Sequence, residues 1–191
     1  MILLGNHFGA HLLPAHWLYR EGYPLRLYME RPRHVSRFMM SHFDDDGPLG
    51  QKKLFISRRG DACDAASSIL RATRALRSGL IMHLAGDVRW TGPHSAPARF
   101  LGTNYTFSTT WLTLAAMTGA TVVPVFCGVH PDAGYRLEFT PAFTVPADQA
   151  RGAAAIPWVQ GVLDAIEDRI RLDPVNSNDY FFWNSPAGQA A

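Results

Sequence analysis

Short apolar or β-branched runs alternate with segments of helical pattern along this chain of 191 residues. Parallel strands need a crossover between them, usually a helix, so the alternation predicts an α/β fold with a mostly parallel central sheet flanked by helices. The predicted strands are 1–4, 25–29, 53–57, 80–84, 121–126 and 135–139. The predicted helices are 10–20, 35–43, 61–77, 109–118 and 156–172. Between them, residues 85–106 are expected to form a long loop containing Gly and Pro.

The chain shows no internal repeat and no linker, which predicts a single domain over residues 1–191. Because its first residues already read as a buried strand, we expect the parent protein to carry a further N-terminal region. No run approaches the ~18 apolar residues of a membrane-spanning helix. Cys63 and Cys127 lack the spacing of a metal site, and a net charge of +2 does not indicate nucleic-acid binding. We therefore expect neither a metal nor a nucleic-acid partner.

The first apolar run ends at Gly5-Asn6, and His7 and His11 follow it. Open α/β sheets bind ligands at the carboxyl ends of their strands, and an imidazole can act as a general base near neutral pH. His7 is therefore a candidate base, with a structural role as the alternative. A metal ligand is less expected, because no carboxylate lies between the two histidines. If the chain is helical from Phe8 onward, His11 shares a face with His7 and is a second candidate.

Asp87 and Arg89 follow the strand predicted at 80–84. A carboxylate and a guanidinium at a strand exit can orient a base or hold an anionic substrate, or they can simply fix the loop. Glu30, after another predicted strand, is a second carboxylate that could partner a histidine. Clustered basic residues form either a solvated face or a site for phosphate or an acidic carrier protein. The candidates for substrate binding are Arg31, Arg33, Lys53, Arg58 and Arg89.

Several blocks, taken in order, resemble the lysophospholipid acyltransferase superfamily, and within it the bacterial lipid A biosynthesis (lauroyl/myristoyl) acyltransferases. Residues 5–9, Gly-Asn-His-Phe-Gly, resemble the start of the catalytic H-x4-D/E segment. Residues 75–80 with Gly86-Asp87 resemble the second block, and residues 118–126 are the most typical stretch. Residues 170–174 and 180–183 resemble the C-terminal segment. The resemblance implies a glycerol-3-phosphate acyltransferase-like fold, whereas motifs of serine hydrolases, P-loop NTPases and dinucleotide-binding proteins are missing.

In that superfamily the histidine takes a proton from an acceptor hydroxyl, which then attacks an acyl thioester. An acidic residue five positions after the histidine orients it. Here that position is Leu12, whose side chain cannot hold an imidazole. Asp87 or Glu30 could replace the acid in space, or His11 could serve in a rearranged site. Alternatively, this branch has lost acyl transfer.

The resemblance thus implies an acyltransferase that moves a fatty acyl group from acyl carrier protein or coenzyme A to a lipid or glycolipid hydroxyl. His7 would be the base, Arg89 with Arg31 and Arg33 would contact phosphate, and no cofactor is expected beyond the thioester co-substrate. The expected location is the cytoplasmic face of the inner membrane, peripheral or anchored by the missing N-terminal region. The alternatives are a non-catalytic lipid-binding module on the same scaffold, and a hydrolase in which His7 and Asp87 activate water.

Overall fold

The computed structural model describes residues 1–30, 53–56, 62–132 and 134–177. Its elements, in chain order, are β1 (Ile2–Gly5), α1 (Leu13–Arg20), β2 (Leu25–Glu30), β3 (Lys53–Ile56), α2 (Ala62–Arg77), β4 (Ile81–Ala85), β5 (Ser95–Phe100), β6 (Thr103–Ser108), α3 (Thr110–Thr118), β7 (Val122–Val129), β8 (Tyr135–Phe139) and α4 (Ile156–Leu172). The predicted helix 35–43 lies outside the described residues. Among the helices that are described, none has the length and apolar character needed to cross a membrane.

Six strands form the central sheet in the order β3-β2-β4-β1-β7-β8. Neighbouring strands are parallel except for β8, which runs antiparallel to β7. The central strand β1 pairs with β4 on one side and β7 on the other, and its residues Ile2–Leu4 are at most 1% exposed. A strand covered on both faces reads as a continuous apolar run, as this one does. The predicted α/β fold with a mostly parallel sheet is confirmed.

Successive side chains of each strand point to opposite faces of the sheet, so apolar side chains lie on both faces. Helices cover both of these apolar faces. On one face, α1 packs on a cluster that contains Leu3, Leu25 and Val125. On the other face, α2, α3 and α4 pack on a larger cluster that contains Ile2 and Leu4. In α4 the buried side chains recur every three or four residues, which is the period of a helix with one apolar face. The apolar ones are Val159, Leu163, Ile166 and Ile170, and Glu167 is buried beside them.

The first helix begins three residues later than predicted, at Leu13 rather than Ala10. The backbone amide of Ala10 donates to the carbonyl of Cys127 at 2.9 Å, and Gly9 forms an isolated bridge with the same residue. Gly9 also has φ +56°, outside the right-handed helical region. The chain after His7 is therefore tied to β7, and these bonds override the local helical pattern.

The expected long loop over 85–106 is wrong, because much of it forms the β5–β6 hairpin. Leu101-Gly102 closes the hairpin with φ values of 49° and 80°, as a two-residue type I′ turn requires. The amide group of Gln160 on α4 bonds both the N–H and the carbonyl of Arg99, each at 2.9 Å, which fixes the hairpin on that helix. The alternation of buried Ala96, Ala98 and Phe100 was a usable signal, but Pro97 argued against a strand.

Candidate active site

The carboxyl ends of β1 and β4 lie side by side, with Gly5 in register with Ala85. From β1 the chain crosses through α1 to β2, and from β4 it runs through α3 to β7 on the opposite side. Such a switch of direction opens a crevice where α/β sheets bind ligands. His7 and Asp87 each lie two residues beyond these strand ends, so the topology brings them together.

Asp87 holds His7 through two hydrogen bonds. The backbone amide of His7 donates to Oδ2 of Asp87, and Nδ1 of the His7 ring contacts Oδ1, both at 2.8 Å. Asp87 is 1% exposed, whereas the His7 side chain is 22% exposed. Because a carboxylate only accepts, the proton of the neutral ring lies on Nδ1, and Nε2 carries the basic lone pair. This is the arrangement of a base oriented by a carboxylate.

Asn6 fixes the backbone on the other side of His7. Its side-chain amide donates to the carbonyl of Val125 on β7, and its Oδ1 accepts from the backbone amide of Phe8, both at 3.0 Å. Asn6 is only 5% exposed, so these bonds are shielded from water. The histidine therefore projects from a backbone that is anchored to two neighbouring strands.

Two further histidines lie beside His7. The ring of His11 has its centroid 5.0 Å from that of His7. His83 on β4 is buried against the Cα of Gly5, where a Cβ would come within 2.6 Å of Nε2. Burial, followed by the charges of His11 and His7, lowers the pKa of His83 to about 4. Burial and His7 also lower the pKa of His11, so both rings are neutral at pH 7.

Sequence reasoning missed His83 altogether. Within the described part of the chain, its Nε2 is buried and has no hydrogen-bond partner. A histidine inside an otherwise apolar run, in a strand covered on both faces, is the signal that could have identified it.

A cavity opens at this edge of the sheet, and its walls are mainly apolar. His7, His11 and His83 line this cavity together with His94. Such a combination of an apolar wall and a few polar groups is typical of a site that binds a small molecule. The apolar side chains around the cavity include Leu12, Leu27, Met29, Ile69, Leu84, Val88 and Trp90.

The remaining predicted residues are brought together only in part. The guanidinium of Arg89 lies 4.1 Å from the ring centroid of Tyr105, while its neighbours Val88 and Trp90 line the cavity. Of Glu30 and Lys53 the structure describes the backbone, at the end of β2 and the start of β3. Arg31, Arg33 and Arg58 lie outside the described residues. The roles of all these residues stay predictions. Across the described ranges, no group of three or more His, Cys, Asp or Glu residues is placed to hold a metal ion.

Comparison with known proteins identifies the family of this chain. No curated protein matches it. The family model for bacterial lipid A biosynthesis acyltransferases matches residues 1–176, which include every described strand of the sheet and both members of the His7–Asp87 pair. Members of that family transfer an acyl group to a lipid. The chain therefore belongs to the bacterial lipid A biosynthesis acyltransferase family.

Proposed function

We propose that this protein transfers a fatty acyl group from a thioester donor, either acyl carrier protein or coenzyme A, to the hydroxyl of a lipid or glycolipid. His7 is the general base and Asp87 orients it. The observation that carries the proposal is the pair of 2.8 Å contacts between Asp87 and His7, whose ring lines a mainly apolar cavity. Membership of the family supports the reaction class.

The proposed reaction uses His7 twice. Nε2 takes the proton of the acceptor hydroxyl as its oxygen attacks the thioester carbonyl carbon, and the C–S bond of the resulting tetrahedral intermediate then breaks. The departing sulfur receives the proton from the imidazolium, so the products are an ester and a free thiol. Asp87 stabilises the imidazolium between the two steps because its buried carboxylate faces Nδ1.

The acyl chain would lie along the apolar wall of the cavity. Leu27 and Met29 come from β2, and Val88 and Trp90 flank the cavity on the side of β4. Burial of each methylene against such side chains contributes about 0.8 kcal/mol, which would hold the thioester carbon near the imidazole.

The proposal also includes the location of the protein. The acceptor is a lipid, and the family acts in lipid A biosynthesis, so the reaction takes place at a membrane surface. We place the protein on the cytoplasmic face of the inner membrane. Membrane fractionation, followed by protease accessibility in sealed inner-membrane vesicles, would test this placement; recovery of the protein away from the membrane fraction would contradict it.

Acyl transfer can be measured with a radiolabelled acyl thioester and vesicles that contain a glycolipid acceptor. The wild type and His16→Ala should transfer label, because His16 is an exposed histidine of α1 outside the cavity. His7→Ala should be slower by about 10²–10⁴-fold, the typical contribution of general-base catalysis. Equal rates for wild type and His7→Ala would rule out His7 as the base.

A second candidate function is favoured by Leu12. It is 43% exposed and stands where the superfamily resemblance implies an acid, so a non-catalytic lipid-binding module on the same scaffold remains a rival. That module would bind acyl lipids without turnover, and His7→Ala would leave binding intact. Binding with no transfer by the wild type, from either donor, would favour the module over the enzyme.

A further inference from the structure

We propose that Asn176, a residue far from His7 in sequence, is a positioning residue for the imidazole. Asn176 lies in the short turn Pro174–Asn176 that follows α4, and it is 6% exposed. The inference rests on the proposed function insofar as His7 is the base. It concerns the segment that leaves the histidine toward α1.

The side chain of Asn176 extends β7 as a peptide group would. Its Oδ1 accepts from the backbone amide of Val129 at 2.7 Å, and its Nδ2 donates to the carbonyl of the same residue at 3.1 Å. Nδ2 also donates to Oδ2 of Asp173 at 2.6 Å. With its side-chain oxygen and nitrogen both engaged, a buried amide has one low-energy orientation, so the turn is locked to the end of β7.

The backbone of Asn176 carries this anchor to the loop after His7. Its carbonyl accepts from the amide of Gly9 at 2.8 Å, and the next amide, that of Ala10, donates to Cys127 at 2.9 Å. A Cβ on Gly9 would lie 2.2 Å from the carbonyl oxygen of Cys127 and 2.9 Å from Oδ1 of Asn176. The loop therefore fits closely between the turn and β7, and only a glycine fits at that point.

These bonds matter for the base because the position of an imidazole must be held to within about 0.5 Å. Asp87 and Asn6 hold the backbone at His7 and just before it. The backbone bonds of Gly9 and Ala10 hold the chain just after His7. The side chain of Leu12 has no carboxylate that could hold the imidazole. The turn Pro174–Asn176 instead holds the backbone after His7, through its bond to Gly9. A displacement of about 1 Å at a catalytic group can cost about 10²-fold in rate.

Asn176→Ala tests the inference, with Gln160→Ala as the matched control. Gln160 also bonds both backbone groups of one residue, Arg99, but on the β5–β6 hairpin. The first readout is the ¹⁵N-histidine NMR signal of the Nδ1–H of His7, which its bond to Asp87 shifts downfield. The second is kcat and KM for acyl transfer, measured below the unfolding midpoint of each variant.

We expect Asn176→Ala to broaden or move the Nδ1–H signal and to lower kcat by about 10–100-fold, with KM changed less than about threefold. Gln160→Ala should leave the signal and kcat within about twofold of wild type. If Asn176→Ala does not fold, Asn176→Gln takes its place, because it keeps the amide but displaces it by one methylene from its bonds to Val129, and it adds no charge beside Asp173. It should give a smaller change in the same direction.

The NMR readout separates this inference from the proposed function. If the wild type proves inactive, a perturbed His7 signal in Asn176→Ala and an unperturbed one in Gln160→Ala still support the positioning role. An unchanged His7 signal in the folded Asn176 variant overturns it, whether or not the enzyme is active. So does a loss of kcat that is equal in the two variants.

Discussion

Asp87 binds His7 from 80 positions away in sequence, and it does so through both the ring and the backbone amide. The two contacts fix the imidazole in position and orientation at once, because one carboxylate spans the main chain and the side chain of the same residue. In the superfamily segment the acid stands five positions after the histidine, where this chain has Leu12. Here the carboxylate comes from the adjacent strand end instead.

Asp87→Asn leaves His7 in the protein and changes only the group that orients its ring, so it tests whether that orientation matters for catalysis. An amide can donate to Nδ1, which would favour the ring tautomer with its proton on Nε2 and remove the basic lone pair. We expect kcat for acyl transfer to fall about 10²–10⁴-fold, and the free energy of unfolding to fall by about 1–3 kcal/mol, because hydrogen bonds to a charged carboxylate are replaced by weaker bonds to a neutral amide. Enzyme assays and urea unfolding measure the two effects.

Asp148→Asn is the control for that change, since Asp148 is exposed and lies in a 3₁₀ turn away from the cavity. It should match the wild type in both assays. If Asp87→Asn retained full activity, Asp87 would have no part in orienting His7, and Glu30 would be the next carboxylate to test.

Gly9→Ala and Gly102→Ala should differ although both glycines have positive φ, 56° and 80°. The left-handed conformation costs a non-glycine residue about 1–2 kcal/mol at either site. Gly102 has open space where a Cβ would lie, whereas at Gly9 the Cβ would meet backbone and side-chain oxygens. Gly9→Ala should therefore lose about 1–3 kcal/mol more in urea unfolding, together with most of the activity. Equal losses in stability would show that the loop after His7 moves aside freely.

Stability should decrease as the pH falls from about 6.5 to 4. The pKa of His83 is lowered from 6.5 to about 4 in the folded state, chiefly by burial, so the unfolded chain binds more protons within that window. A difference of this size corresponds to about 3 kcal/mol lost across the window. The lowered pKa of His11 acts in the same direction.

His83→Met should flatten this pH profile, because methionine fills a similar apolar space and does not titrate. The measurement is the free energy of unfolding in urea at several pH values, with the exposed His16→Ala as the control that keeps the wild-type slope. A profile of unchanged slope in His83→Met would mean that His83 titrates normally in the folded protein.

Local patterns in the sequence predicted most elements closely. The helix predicted at 156–172 has those bounds, and the β-branched run at 121–126 lies in β7, because an apolar stripe of helical period and a doubly buried strand are each visible in a short window. The same reasoning failed where tertiary bonds compete with local preference. Gly9 and Ala10 are bonded to Cys127 of β7, so the helix begins only at Leu13, and the β5–β6 hairpin depends on contacts with α4.

The sequence by itself determined the α/β class, the strands β1, β2 and β4 that border the cavity, and His7 with two carboxylates, Asp87 and Glu30, as possible partners. It could not choose between those carboxylates, because the choice depends on which strand lies beside β1. Strand order is set by pairing between segments about 80 residues apart, which no local pattern reports. Only the tertiary structure places β4 next to β1, and with it Asp87 at 2.8 Å from the ring of His7.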